Sequence, residues 1–285
     1  MNAGQQLLPT GRFGNILLAT ECSEFSQSAE DLAAALAVQF QGRVTAMTMV
    51  VSNPEYESVA FGLLQEKESA AMQQLVQVKE RIMLQGVPCD VQVRRGVYPH
   101  DEIIDAAVEI GADLVVMGRR GRRGLARLMV GDATARVVAK SPCKVLVVPR
   151  GQTLWHKTIF LATDGSRYSD RAAVTATILA KKANIPLRVV SVVETKSNTN
   201  RHAIAKDALD RVFNHAREEG VEVTGNVIEG HPVVDVLAEA AAACQADLVV
   251  GGSHGRTGME RVFLGSVMER LIGRVSCPVL AIKGG

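Results

Sequence analysis

The residues of this chain best suited to chemistry lie in the stretch GGSHGRTGMERVFLGS, residues 251 to 266. It follows an apolar run, ADLVV, and its skeleton is Gly252, two residues, Gly255, nine residues, Gly265 and Ser266. Glycines let a bulky anion approach backbone N–H groups, and they tolerate positive φ. Ser266 is expected to open a helix as its cap, because Ser266-Val267-Met268-Glu269 has the form of a capping box. Free N–H groups at a helix start, joined by a serine hydroxyl, make an anion site whose natural ligand is phosphate. The competing reading is structural: the glycines shape a tight strand-to-helix turn and Ser266 only caps. The stretch is not a Walker loop, since no Gly-Lys-Ser/Thr ends it. Nor is it the usual Rossmann fingerprint, since these glycines follow a late strand.

The elements that must position this loop can be read because the chain is written twice. NILLATECSEFSQSAEDLAAALA aligns without gaps to TIFLATDGSRYSDRAAVTATILA, with an offset of 143 residues. GADLVVMGRRGRRGLARLMVGDA aligns to QADLVVGGSHGRTGMERVFLGSV, with an offset of 134. The first half therefore carries about nine extra residues, between Val51 and Gly96. A period this long means two duplicated domains. Residues 1–149 and 155–285 are the expected domains, with PRGQTLW as the linker. In each half, short apolar strands alternate with helices. One long helix of the first half is expected to carry Met72, Leu75, Val76, Ile82 and Met83 on a single face. Such alternation implies a parallel sheet covered on both faces, an open, doubly wound α/β domain. Ligands of such sheets bind beyond the carboxyl ends of the strands, where the strand order reverses.

Composition narrows the classes further. In 285 residues, 47% are apolar and 22% charged, which fits packed globular domains. The formal charge of +2 gives no global reason to expect nucleic acid or an anionic membrane. No apolar run is long enough to span a bilayer, and the N-terminus shows no secretory signal. The five cysteines are widely spaced with no C-x-x-C, which reads as reduced thiols in a cytoplasmic protein. Cys143 and Cys277 occupy matching sites and read as packing residues. His202 and His231 are scattered, with no spacing for a metal cage.

The spaced glycine motif, together with FLATDGS near the start of the same half, resembles the universal stress protein family in tandem form. The resemblance covers nearly the whole chain, twice. It implies an adenine nucleotide α-hydrolase-like fold with a five-stranded parallel sheet per domain, and binding of ATP or of ADP or AMP, with Mg2+ as an optional companion. It also implies a stress-related role and pairing of last strands between subunits. A tandem chain can pair its own two last strands as an internal pseudo-dimer, and a homodimer of the whole chain stays open. By the same resemblance, Ala162, Thr163 and Asp164 surround the adenosine and Val192 packs on the adenine. Gly251, Gly252, Gly255, Gly265, Ser266 and Val267 match the ribose and phosphate segment. Met268 stands where the family often has a hydroxyl residue. Asp164 has a second reading, as a turn former or helix cap. His254 and Arg256 are secondary phosphate candidates.

The first half departs from this pattern. Glu21 replaces Asp164, Cys22 replaces Gly165, and Asp132 replaces Ser266. As a helix cap, aspartate is as good as serine; beside a phosphate it is repulsive. Arg119, Arg120, Arg122, Arg123 and Arg127 could neutralise it and still hold an anion, mark a nucleic-acid patch, or form a solvated loop or a contact with the other domain; no aromatic platform sits among them, which weakens the nucleic-acid reading. One strong nucleotide site per chain, in the second half, is therefore expected. No general base activated by a neighbour is evident, so the leading class is a nucleotide-responsive regulatory protein. The alternatives are a slow ATPase or nucleotidyl-transfer enzyme of related fold, and a flavin carrier.

Overall fold

The computed structural model describes residues 12–52, 61–119, 131–194, 199–255 and 264–283. These divide into two compact units at Leu154 and Trp155. The first unit runs β1 (Asn15–Ala19), α1 (Gln27–Phe40), β2 (Arg43–Val51), α2 (Phe61–Met83), β3 (Cys89–Gly96), α3 (Pro99–Glu109), β4 (Leu114–Gly118), α4 (Asp132–Lys140) and β5 (Lys144–Val148). The second runs β6 (Ile159–Ala162), α5 (Arg167–Ala183), β7 (Leu187–Val193), α6 (Thr199–Glu218), β8 (Val223–Glu229), α7 (Val233–Ala243), β9 (Leu248–Gly252), α8 (Ser266–Arg274) and β10 (Val279–Ile282).

Within each unit the five strands are parallel. The order is β3-β2-β1-β4-β5 in the first and β8-β7-β6-β9-β10 in the second. Each unit is thus an open, doubly wound sheet of the kind its alternating pattern implies. The central strands read as unbroken apolar runs because helices cover both faces. Ile16, Leu17, Leu18, Leu114, Val115 and Val116 are fully buried in one unit; Ile159, Phe160, Leu161, Leu248, Val249 and Val250 are in the other. The winding reverses between β1 and β4, and between β6 and β9. Such a reversal is where the loops of an open sheet leave a crevice.

Helix ends follow local chemistry. Ser166 accepts a hydrogen bond from the Ser169 N–H and so caps α5, which ends where Asn184 turns left-handed at φ 53°. Gln41 ends α1 in the same conformation. The expectation for α2 needs correction. Leu75 and Ile82 are buried with Leu64 and Val78, whereas Met72, Val76 and Met83 are exposed. The apolar arc of this helix is wider than the sheet beneath it, so only one edge of the arc reaches the core.

One polar brace of the first unit is built around a buried carboxylate, whereas the corresponding helices of the second unit are joined by the more exposed pair Arg211–Asp170 at 3.1 Å. The buried Glu30 accepts from Thr20 Oγ1 at 2.6 Å and from Arg81 at 2.6 Å, tying α1 to α2. The matching position in the second unit is Ala173. Removing the arginine strands a buried carboxylate. Arg81→Ala is therefore expected to cost about 2 kcal/mol in chemical unfolding. Adding Glu30→Ala, which recreates the second unit's alanine, is expected to recover most of that loss. If the double variant is no more stable than Arg81→Ala alone, this reading of the brace is wrong.

Candidate functional site

The site begins where β6 ends. Thr163 N–H continues the ladder to Val190 O at 3.0 Å, and Thr163 Oγ1 bonds Ser169 Oγ at 3.1 Å. Asp164 Oδ1 accepts from the Ser166 N–H at 2.9 Å, so the carboxylate forms the turn while Ser166 does the capping. Gly165 sits at φ 75°, and a Cβ there would lie 3.3 Å from Ala208 Cβ and 3.4 Å from Ile204 Cγ2. Its bareness lets α6 pack onto the turn.

The opposite wall begins where β9 ends. Ser253 is fully buried and donates its N–H to Ile282 O at 2.8 Å, while its carbonyl accepts from Gly265 N–H at 3.0 Å. The glycine-rich loop thus leaves and returns at one point. Arg256 of that loop, like Arg120, Arg122, Arg123 and Arg127 of the first, lies outside the described residues. The described Arg119 donates its N–H to Val148 O at 2.7 Å.

Two expectations about the loop are corrected. None of Gly251, Gly252, Gly255 and Gly265 has positive φ. They are needed for close approach instead. A Cβ at Gly252 would lie 2.8 Å from Tyr168 Cβ, at Gly255 2.8 Å from Asp164 Oδ2, and at Gly265 3.1 Å from Ser253 O. The capping box is not formed either. Gly265 O accepts the first helical bond, from Glu269 N–H at 3.0 Å, so Gly265 is the cap residue and Ser266 the first residue inside α8. The hydroxyl is left exposed at the helix start beside N–H groups with no partner within the helix. Asp132 likewise is not a cap: Gly131 is, and the Asp132 carboxylate pairs with Arg136 at 2.9 Å, well exposed.

Between the two walls lies a cavity of about 330 Å³. Ala162, Thr163, Asp164, Val192, Gly251, Gly252, Gly255, Gly265, Ser266, Val267 and Met268 all line it, as does His254. The Met268 side chain is buried and packs over Gly251, where a Cβ would come within 2.8 Å of Met268 Cε. Sequence reading missed a further wall: Arg201 and Ala205 on α6, Val233 and Leu237 on α7, with Ser191, Val193 and Glu194 at the end of β7. The clue was Gly165, whose lack of a Cβ marks where a helix comes close. Its lining combines apolar side chains such as Val192, Val193, Val233 and Leu237 with the loop glycines, Ser253 and Ser266, and with the charged Asp164, Glu194 and Arg201. That arrangement suits a ligand with a flat apolar part and an anionic part.

The first unit repeats the scaffold. Thr20 Oγ1 bonds Ser26 Oγ at 3.0 Å and accepts from the Cys22 N–H at 2.9 Å. Cys22 holds a left-handed φ of 53° where the second unit has glycine. Burial, reinforced by the Glu30 carboxylate, pushes its thiol pKa up, which disfavours the reactive thiolate. Burial does the same to Cys143, and its counterpart Cys277 is buried at the start of the last strand. No helix among the described residues is long and apolar enough to cross a membrane.

Comparison with known proteins supplies the last observations. A model of the universal stress protein family matches residues 12–149 and again 156–283. A universal stress protein of Methanocaldococcus jannaschii is 34% identical over 150 residues, 48% of this chain and 87% of that protein. One from Thermus aquaticus is 32% identical over 136 residues, 45% of this chain and 98% of that protein. Among solved structures, a universal stress protein from Archaeoglobus fulgidus matches with a TM-score of 0.77 at 22% identity, covering 96% of this chain and 100% of that one. This last likeness speaks for the fold.

Proposed function

Given that the chain belongs to the universal stress protein family, matched once in each half, we propose that its second half binds an adenine nucleotide, ATP foremost, in the cavity between the ends of β6 and β9. The observation that carries this reading is that one cavity is lined both by apolar side chains, Val192, Val193 and Leu237 among them, and by the glycine-rich segment with Ser266, the first residue of α8. In this reading the apolar side chains take the base, and Ser266 with the first-turn N–H groups of α8 takes the phosphates. Asp164 stands beside Gly255, where a Cβ would lie 2.8 Å from Asp164 Oδ2. Mg2+ would enter with a triphosphate, held chiefly by the phosphates. The role that follows is regulatory: a protein whose conformation reports nucleotide occupancy in a stress response.

Calorimetry with ATP, ADP and AMP on protein shown to be nucleotide-free tests the proposal. Binding of at least one at a stoichiometry near one supports it, and no binding by any of the three refutes it. Ser266→Ala is expected to weaken ATP about fivefold and adenosine less than twofold, because the lost hydroxyl faces phosphate and one hydrogen bond is worth about 1 kcal/mol. Equal weakening of the two ligands would place Ser266 away from the phosphates.

A further inference from the structure

Where β7 gives way to α6, the rim of the cavity gathers charge. Glu194 follows the last residue of β7, Arg201 is the third residue of α6, and both line the cavity. Two carboxylates of this rim are engaged by histidines, Glu194 by His231 at 3.6 Å and Glu229, the last residue of β8, by His202 at 3.2 Å. Arg201 belongs to neither pair and makes no ion pair with a described residue.

The first unit shows which of these groups are scaffold. α2 and α6 run into the same left-handed glycine turn, at Gly86 and at Gly220. Counting back from it sets Lys67 against Arg201 and Glu68 against His202. The strand registers set Arg95 against Glu229 and Val51 against Glu194. Glu68 meets Arg95 at 2.7 Å, so the tie between helix and edge strand persists with its charges exchanged. The tie is therefore architecture, and Arg201, beside it in sequence, takes no part in it.

The place of Arg201 along the cavity follows from α6. Ala205, one turn on, also lines the cavity and is buried, so the two residues share an inward face. Further along, Ile204 and Ala208 close on Gly165, in the turn that carries Asp164. β7 lies on one side of β6 and β9 on the other. Arg201 therefore stands at the β7 end of the cavity with Val192 and Val193, while Ser266 stands at the β9 end. No Phe, Tyr or Trp is among the described lining residues. The one aromatic ring there, His254, follows β9, bonds Ser253 at 3.0 Å and faces Tyr168 with 5.4 Å between ring centroids. A guanidinium is planar and weakly hydrated, and it stacks on aromatic faces better than an ammonium does.

We infer that Arg201 lays its guanidinium on the base of the bound nucleotide and so sets the affinity for the nucleoside part of the ligand. The inference rests on the proposed nucleotide site. It adds a contact whose worth does not depend on the number of phosphates. Lys67, at the matched place in the first unit, has the charge without the plane.

Calorimetry of the full-length chain with ATP and with adenosine tests this, at roughly 0.5 M salt so that long-range attraction is screened. Arg201→Ala is expected to weaken both ligands about fivefold, whereas Ser266→Ala largely spares adenosine. Arg201→Lys keeps the charge and is expected still to weaken adenosine about threefold. The side chain is exposed and outside the helix-to-strand tie, so both variants should melt as the wild type does. Adenosine affinity that survives Arg201→Ala overturns the inference, and if ATP alone is weakened the guanidinium serves the phosphates instead. Full rescue by Arg201→Lys also overturns it, since charge without a plane would then suffice. Wild-type protein that binds neither ligand refutes the nucleotide site and this inference together.

Discussion

Alanine at Gly252 is expected to abolish nucleotide binding by the second half and to destabilise that half by about 2–3 kcal/mol. The added Cβ would lie 2.8 Å from Tyr168 Cβ, 3.0 Å from His254 O and 3.1 Å from the Tyr168 carbonyl carbon. Two of these three neighbours are backbone atoms, so no rotamer change relieves the contact. Either the first turn of α5 or the chain at His254 must move. Both movements reach the cavity, the first through Ser169 and the Thr163 hydroxyl, the second through the glycine-rich loop. Calorimetry reads the affinity and thermal melting the stability. Gly118→Ala is the matched control. Its Cβ would meet Phe25 O at 3.2 Å and Ser26 Cα at 3.5 Å, a milder crowding expected to cost about 1 kcal/mol. ATP affinity should not change, since the proposed site is in the other half. If Gly118→Ala loses nucleotide binding as Gly252→Ala does, assignment of the site to the second half fails.

The other large effect lies outside the cavity. Gly225→Ala is expected to cost about 3 kcal/mol in equilibrium unfolding, because its Cβ would stand 2.2 Å from Val189 O and 3.0 Å from the Val189 carbonyl carbon. Gly225 and Val189 are register partners in β8 and β7. A new methyl group would have to lever the two strands apart and weaken the ladder on either side. The first unit shows how the same register works with a different share of volume, since Ala46 of β2 there pairs with Val91 of β3. A loss below about 1 kcal/mol in Gly225→Ala would show that the edge strand adjusts freely and that the glycine is incidental.

The duplication made most of the fold legible. An alignment of the chain with itself fixes the order of elements, and the unbroken apolar runs of the central strands require helices on both faces. Of the candidate residues in the second half's motifs, all those described line one cavity, while Arg256 lies outside the described residues. What stayed hidden depends on distances between elements far apart in the chain. Arg201 and Leu237 join the cavity because of where α6 and α7 settle, which no local pattern encodes. The expected positive φ of the loop glycines was the part that failed. Spacing shows that a backbone must be bare, but it does not distinguish a left-handed turn from a neighbour that comes within 3 Å. The α2 stripe failed for a related reason: periodicity marks an apolar face, and only the sheet decides how much of it is covered.

The strand order also sets when the cavity comes into being as the chain is synthesised. β6 can pair with β7, and β7 with β8, as each emerges, but β9 must return to pair with β6 across about ninety residues of intervening chain. One wall of the cavity is among the first pieces of its half to leave the ribosome, and the other is nearly the last. Long loops close late because their entropy is spent before their contacts form. Under the proposed function, a nucleotide would therefore find no site on a half-made domain. It would act only on the finished half, lowering the rate at which β9 lets go rather than the time β6 needs to find it.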